Sequence, residues 1–164
     1  LVIEAATENE AVKRQIFEAL VPDLKDNTIL TTNTSSISIT LLAAVTKRPT
    51  KVVGMHFMNP VPVMKLVEII PCDFTSAETV RTAREYVENI GKVGVLAKDT
   101  PAFIANRVGV YSIMALFHAV KEMGFSVSEV DKLSGPILGR PKSATFRTCD
   151  VVGLDTLVHV ANGL

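Results

Sequence analysis

Short apolar runs alternate with helical segments over residues 1–98, and this alternation constrains the fold more than any other feature. The apolar runs are LVIEAA, TILTTNTSS, KVVGMHF, KLVEIIP and KVGVLAK. Runs of this length and composition, bounded by turn residues, are typical of buried strands. Because strands that alternate with helices form a layered α/β sheet, the sequence predicts an α/β domain over residues 1–98.

Capping residues predict where the intervening helices begin. In a capping box, a Ser or Thr and a Glu three residues later each satisfy an unpaired backbone N–H at the helix start. Thr7 with Glu10, and Thr75 with Glu78, fit this pattern. A shorter helix is expected to begin near Ser38.

The sequence changes in character after Lys98. AFIANRVGVYSIMALFHAVKEMG predicts one long helix that ends at Gly124 and is too apolar to lie exposed. Ser126 with Glu129 predicts a third capping box, and DVVGLDTLVHVANGL predicts another helix. We therefore place a domain boundary at residues 98–100 and predict an all-helical domain over residues 99–164.

Charge and composition argue against several kinds of partner. The 17 basic side chains balance 17 acidic ones, so neither a nucleic acid nor a membrane surface is expected as a partner. No apolar run reaches the roughly 20 residues that span a bilayer. The two distant cysteines and three scattered histidines make no credible metal site. Reduced thiols in an intracellular compartment are expected.

The start of the chain and its glycines raise a further question. The chain opens on an apolar strand without an initiating methionine, whereas termini usually extend into solvent, so we expect a fragment. The nine glycines never form G-x-G-x-x-G, the phosphate-binding motif of dinucleotide-binding sheets. Either the protein binds no dinucleotide, or the half that carries this motif lies upstream.

Four segments together resemble the L-3-hydroxyacyl-CoA dehydrogenases of fatty-acid β-oxidation. They are TNTSS, HFMNPVPVMKLVEII, DTPAFIANRV and GLDT, and the resemblance covers essentially all 164 residues. It implies the second half of a Rossmann-type NAD-binding domain, followed by the start of a truncated helical domain that makes a homodimer. NAD is then the cofactor, and the glycine-rich loop precedes Leu1. The stretch GPILGRPKSATFRTCDVVGLDT is more similar to the larger multifunctional bacterial members.

The resemblance makes His56 the catalytic base and Glu68 the carboxylate that orients it. Oxidising a 3-hydroxyl group requires a proton to leave the oxygen while a hydride leaves carbon 3, and an imidazole can exchange that proton near neutral pH. The carboxylate would stabilise the protonated imidazole, as the acid does in a serine-protease triad. A turn at residues 59–62 reverses the chain and can bring the two together. Their spacing alone fits a buried structural pair equally well.

Two further residues correspond to substrate contacts in the family. Ser35 matches the serine that hydrogen-bonds the reacting oxygen, although a turn or helix-capping serine is the alternative. Asn106 matches the asparagine that contacts the substrate beside His56, and without the resemblance it would be a helix-surface amide. Its position just past the domain boundary fits a cleft between domains.

Five positions match cofactor contacts of the family: Ala5, Glu8, Lys13, Asn33 and Asn59. Ala5 and Glu8 lie at the carboxyl end of the first strand, where open α/β sheets bind ligands. Glu8 and Lys13 could equally be charges in the first turn of a helix, and Asn59 before Pro60 could be an ordinary turn residue.

The resemblance implies an NAD-dependent oxidoreductase that interconverts L-3-hydroxyacyl-CoA and 3-ketoacyl-CoA. An acyl-CoA is then the substrate, and the location is the cytoplasm of a bacterium or the mitochondrial matrix or peroxisome of a eukaryote. Two alternatives remain: a related dehydrogenase of a free hydroxy or sugar acid, and a non-catalytic structural relative. If the polypeptide consists of these residues alone, it lacks the pyrophosphate site and no turnover is expected.

Overall fold

The structure is a computed structural model that describes residues 1–162, apart from the side chain of His159. It divides into two compact units, Leu1–Ile104 and a second that begins at Ala105. In the described part of the chain no helix is long and apolar enough to cross a membrane.

The first unit is built on a mixed five-stranded sheet in the order β1-β2-β3-β4-β5. The strands are β1 (Val2–Glu4), β2 (Leu30–Thr32), β3 (Val52–Phe57), β4 (Leu66–Pro71) and β5 (Val93–Leu96). The first three run parallel, β4 is antiparallel to β3, and β5 is parallel to β4. The predicted α/β class is therefore confirmed, with every predicted strand in place.

Helices cover both faces of this sheet. They are α1 (Glu10–Leu20), α2 (Ile39–Ala44) and α3 (Ala77–Asn89). Successive side chains of a strand point to opposite faces of the sheet. Val52 of β3 packs with Phe17 of α1 and Ile39 of α2 on one face. Its neighbour Val53 packs with Val87 of α3 on the opposite face. The result is a three-layer core in which α1 and α2 lie on one side of the sheet and α3 on the other.

The packing of α2 on the sheet depends on Gly54. A Cβ atom there would lie 2.8 Å from Ile39 Cδ1 and 3.0 Å from Ile70 Cβ, closer than real side chains approach. The missing side chain lets α2 approach the face of the sheet that also carries His56, two residues along β3.

Two of the three predicted capping boxes are wrong in their residues. The cap of α1 is Asn9, whose side chain accepts from Val12 N–H. The cap of α3 is Ser76 rather than Thr75, because the Thr75 hydroxyl donates to the carbonyl of Val52 instead (2.6 Å). The capping box of Ser126 and Glu129 is confirmed, as is the helix start at Ser38.

The described residues of the second unit form helices joined by loops and include no strand. It contains α4 (Ala105–Met123), α5 (Val127–Leu133), α6 (Phe146–Val152) and α7 (Leu154–Asn162). The single helix predicted at the end of the chain is two helices, because Gly153, at φ +99°, separates α6 from α7. Val110, Cys149 and Leu157 form the buried core, and the rings of Phe117 and Phe146 stack at 4.9 Å.

The long helix α4 is more exposed than its composition predicts. Val110 is buried, whereas Val108, Tyr111 and Met123 are 63%, 76% and 68% exposed. The expectation that this helix is buried is wrong for the described residues, because the helices that pack on it cover only part of its surface.

The two units separate six residues later than the sequence boundary at residue 98. Residues 99–104 belong to the compact unit of the sheet. Asp99 there bonds to the start of α2, and the Phe103 side chain lies in the core beside Ile39. Composition alone could not show this, since the segment has neither strand nor helix periodicity.

Candidate active site

His56 and Glu68 face each other across the antiparallel pair β3–β4. They are direct partners in the strand register, and Nδ1 of His56 lies 2.7 Å from Oε2 of Glu68. Glu68 is 1% exposed and His56 8%. The turn between the strands reverses the chain, and the Asn59–Pro60 peptide within it is cis. The structure thus brings the predicted base and its predicted carboxylate into contact.

The pair is suited to moving a proton at one ring nitrogen. A carboxylate accepts hydrogen bonds, so Nδ1 carries the proton that it shares with Glu68. The second ring nitrogen, Nε2, is then the atom that can take a proton from a ligand. A carboxylate behind the imidazole holds its tautomer and stabilises the imidazolium that forms.

A loop that sequence reasoning did not assign to the site also contacts the pair. The backbone N–H of Ile104 donates to Oε1 of Glu68 at 2.8 Å. The Phe103 ring lies 5.9 Å from the His56 ring, centroid to centroid, and is tilted by 58°. The segment DTPAF carried the family resemblance, but no local pattern indicated that it contacts a strand 36 residues away.

Glu8 organises the loop that carries Ser35. Its Oε1 accepts from the Thr34 hydroxyl (2.6 Å) and from the N–H groups of Ser35 (2.9 Å) and Ser36 (3.1 Å). Partial burial raises the pKa of the Glu8 carboxyl, but these hydrogen bonds and the nearby Lys13 outweigh it and leave the pKa below its ordinary value. The loop after β1 and the loop after β2 are therefore joined at the carboxyl edge of the parallel strands.

Asn33 connects that edge to the strand of His56. Its side-chain oxygen accepts from the N–H of Phe57 (2.9 Å), and its own N–H donates to the carbonyl of Glu4 (2.7 Å). Ala5 and Asn59 are exposed at the ends of β1 and β3. The predicted cofactor positions at these strand ends thus lie along one edge of the sheet, while their contacts to a cofactor stay predictions.

Lys13 differs from the other predicted cofactor residues because it is almost fully buried. Its ammonium lies 2.8 and 3.0 Å from the two carboxylate oxygens of Glu4 and 3.1 Å from the carbonyl of Ala6. Thr32 donates its hydroxyl proton to the same Glu4 carboxylate (2.6 Å). Sequence reasoning missed Glu4 and Thr32, although a glutamate inside an apolar strand was a signal for a buried partner.

Asn106 is the second residue of α4 and belongs to the second unit. It is half-buried, and its contact with a substrate beside His56 stays a prediction. Among the described residues no group of His, Cys, Asp and Glu side chains could hold a metal ion.

Comparison with protein families decides what kind of protein carries this geometry. Residues 1–100 match the model of the 3-hydroxyacyl-CoA dehydrogenase NAD-binding domain, and residues 103–164 match that of the C-terminal domain. The chain belongs to the 3-hydroxyacyl-CoA dehydrogenase family. The match of residues 1–100 to the NAD-binding domain also indicates NAD as the cofactor.

Individual relatives agree with the family assignment. The chain is 44% identical over 166 residues to a Bacillus subtilis protein named "Probable 3-hydroxyacyl-CoA dehydrogenase", and the match covers 99% of the chain and 21% of that protein. It is 40% identical over 161 residues to the "Fatty acid oxidation complex subunit alpha" of Acinetobacter baylyi, covering 98% of the chain and 22% of the relative.

A solved structure confirms the fold of the chain. The (S)-3-hydroxybutyryl-CoA dehydrogenase of Ralstonia eutropha superposes with a TM-score of 0.92 at 39% identity, covering 99% of this chain and 57% of the other. The chain therefore spans between about a fifth and three fifths of the length of these relatives.

Proposed function

We propose that the protein carrying this chain interconverts L-3-hydroxyacyl-CoA and 3-ketoacyl-CoA with NAD(H) in fatty-acid β-oxidation. The observation that carries the proposal is the buried contact between His56 and Glu68 in a chain of this family. A purely structural descendant has no physical reason to retain a buried ionisable pair that is costly to desolvate.

In the oxidation direction, Nε2 of His56 accepts the proton of the substrate 3-hydroxyl group. Glu68 stabilises the resulting imidazolium through Nδ1, and the same proton returns to the oxygen in the reduction. The hydroxyl of Ser35 hydrogen-bonds the reacting oxygen, and Asn106 contacts the substrate. When bound, NAD supplies the acceptor for the hydride that leaves carbon 3.

The cofactor is proposed to bind at the carboxyl ends of the parallel strands. Ala5, Glu8, Asn33 and Asn59 contact it there, and exposure of Ala5 and Asn59 at the strand ends supports this placement. Open α/β sheets bind ligands at this edge. Lys13 is retained as a weaker cofactor contact, because its ammonium is already within 2.8 Å of Glu4.

The proposal includes a homodimer that forms through the helical unit. The proposed location is the cytoplasm, or the mitochondrial matrix or peroxisome in a eukaryote. Exposed apolar side chains on α4, among them Val108 and Tyr111, support a contact with further protein surface.

The experiment that tests the function compares two substrates in the complete protein. With NADH, acetoacetyl-CoA should be reduced at a rate typical of enzymes, on the order of 1–10³ s⁻¹, and free acetoacetate far more slowly. Equal or faster reduction of free acetoacetate would favour the dehydrogenase of a free acid. Reduction of neither substrate, while NADH still binds, would contradict the dehydrogenase proposal.

A further inference from the structure

Asp99 joins the end of the sheet to the start of α2. Its Oδ1 accepts from the N–H of Ile39 (2.9 Å). Its Oδ2 accepts from the N–H (2.8 Å) and the hydroxyl (2.7 Å) of Thr40, and from the hydroxyl of Ser38 (2.9 Å). Charged hydrogen bonds of this kind are stronger than neutral ones, so Asp99 is firmly attached to a helix 60 residues earlier in the chain.

The loop that follows Asp99 ends on the catalytic pair. Over residues 99–104 the chain passes from the α2 contact to Ile104, whose N–H donates to Glu68 Oε1. Phe103, one residue earlier, is 3% exposed and lies beside the His56 ring. The loop therefore contacts both members of the pair, each through a different residue.

The backbone of this loop is in an unfavourable conformation. Ala102 and Phe103 have φ values of +57° and +46°, in the left-handed region that non-glycine residues rarely adopt, least of all bulky ones. Such residues persist only where surrounding contacts hold them in place, and they cluster at functional sites. Here the contacts at the two ends are the Asp99 carboxylate and the Glu68 carboxylate.

Helix α2, whose first N–H groups bind Asp99, also follows directly after the loop of Ser35. Helix α2 begins at Ile39, three residues after Ser36, and Glu8 binds the backbone of Ser35 and Ser36. Asp99 thus lies between two parts of the proposed active site, the serine loop and the His–Glu pair.

We propose that Asp99 is a positioning residue for the His56–Glu68 pair. Its carboxylate fixes residues 99–104 against α2, and the Ile104 N–H and the Phe103 ring then hold the carboxylate and the imidazole in the orientation that proton transfer requires. The proposal rests on the proposed function for its effect on turnover, but its effect on the pair itself is independent of substrate and cofactor.

The test is Asp99→Asn in the complete protein, which keeps one oxygen acceptor and removes the other. Because small displacements of a catalytic group have large effects on rate, kcat for acetoacetyl-CoA reduction should fall about 10- to 100-fold. The KM values for acetoacetyl-CoA and NADH should change less than about twofold, since Asp99 is not among the proposed contacts of either. The proton resonance of His56 Nδ1, followed by NMR without ligands, should shift or broaden.

The matched control is Asp131→Asn. Asp131 caps α6 in the same way, accepting from the N–H groups of Thr145 (3.2 Å), Phe146 (2.8 Å) and Arg147 (3.1 Å). The variant Asp131→Asn makes the same chemical change as Asp99→Asn, but at a helix start in the other unit. Its kcat should stay within about twofold of wild type and the His56 Nδ1 resonance should be unchanged, while its unfolding midpoint falls by an amount comparable to that of Asp99→Asn.

A milder variant covers the case in which Asp99→Asn does not fold. Thr40→Val removes one hydroxyl donor to Asp99 and keeps the backbone donor, and it should lower kcat about fivefold. The positioning role is overturned if kcat of the folded variant stays within about twofold of wild type, or if kcat falls with an unchanged Nδ1 resonance. If the wild type itself does not reduce acetoacetyl-CoA, the proposed function fails, and the Nδ1 resonance alone decides the role of Asp99.

Discussion

Two buried pairs in the first unit each join a carboxylate to a side-chain nitrogen group, and they differ in what that nitrogen group can do. Lys13 and Glu4 lie 2.8 Å apart with side chains 1% and 2% exposed. His56 and Glu68 lie 2.7 Å apart with side chains 10% and 1% exposed. Distance and burial are therefore nearly the same in both pairs.

The chemistry of the nitrogen group separates the two pairs. The three protons of the Lys13 ammonium all have acceptors, in the Glu4 carboxylate and the Ala6 carbonyl. An imidazole can change its charge near neutral pH, and the contact with Glu68 uses only Nδ1. The Lys13 pair is thus suited to fixing β1 against α1, and the His56 pair to exchanging a proton. Similar burial and distance do not imply a similar function.

The largest expected effect is a loss of activity when the pair of His56 and Glu68 is broken. His56→Ala in the complete protein should lower kcat by about 10²–10⁴-fold, the usual contribution of a general base. NADH binding, measured by fluorescence titration, should stay nearly intact, because His56 is not among the proposed cofactor contacts. A variant that kept more than about a tenth of the wild-type rate would show that the base is another group.

The next largest effect is a loss of stability when the pair of Lys13 and Glu4 is broken. Lys13→Met leaves the Glu4 carboxylate buried without its cation and should lower the free energy of unfolding by about 3–5 kcal/mol. The measurement is urea unfolding followed by circular dichroism. The control is the double variant Glu4→Gln/Lys13→Met, which removes both charges and should recover most of the loss. A loss below about 1 kcal/mol in the single variant would show that burial adds little to this pair.

The smallest effect concerns Glu8, which lies 3.7 Å from Lys13 and binds the Ser35 loop. Because its pKa lies below the ordinary value of 4.5, its contribution to stability is present above that pH and is lost as the pH falls through the lowered pKa. Glu8→Gln should therefore be less stable than wild type by about 1 kcal/mol at pH 7, and the difference should disappear in acid.

The control for Glu8 is Glu10→Gln, since Glu10 is in the first turn of α1 and makes an exposed pair with Arg14 (3.0 Å). That change should alter stability by less than about 0.5 kcal/mol at any pH. If Glu8→Gln behaves in the same way, or loses the same stability at pH 3 as at pH 7, the hydrogen bonds to the serine loop do not favour the charged carboxylate.

Local sequence patterns were sufficient for most of the fold. Every predicted strand is present, and α2, α4 and α5 begin or end where capping or glycine residues indicate, as with Ser38 and Ser126. The caps of α1 and α3 were misplaced, because several residues able to cap stand side by side. Which of them caps depends on a bond elsewhere, as the contact of Thr75 with the Val52 carbonyl shows.

The sequence by itself determined the α/β class, because strand periodicity and turn residues are local properties of the chain. Its resemblance to a known family, carried by motifs in the family's order, implied the family and the His56–Glu68 pair. Only the tertiary structure decided that Lys13 is buried against Glu4 and that residues 99–104 return to the sheet. Only the tertiary structure, too, placed the Ile104 N–H on Glu68. These contacts join residues up to 61 positions apart, and no local pattern encodes which distant partner a charged side chain or a backbone N–H will meet.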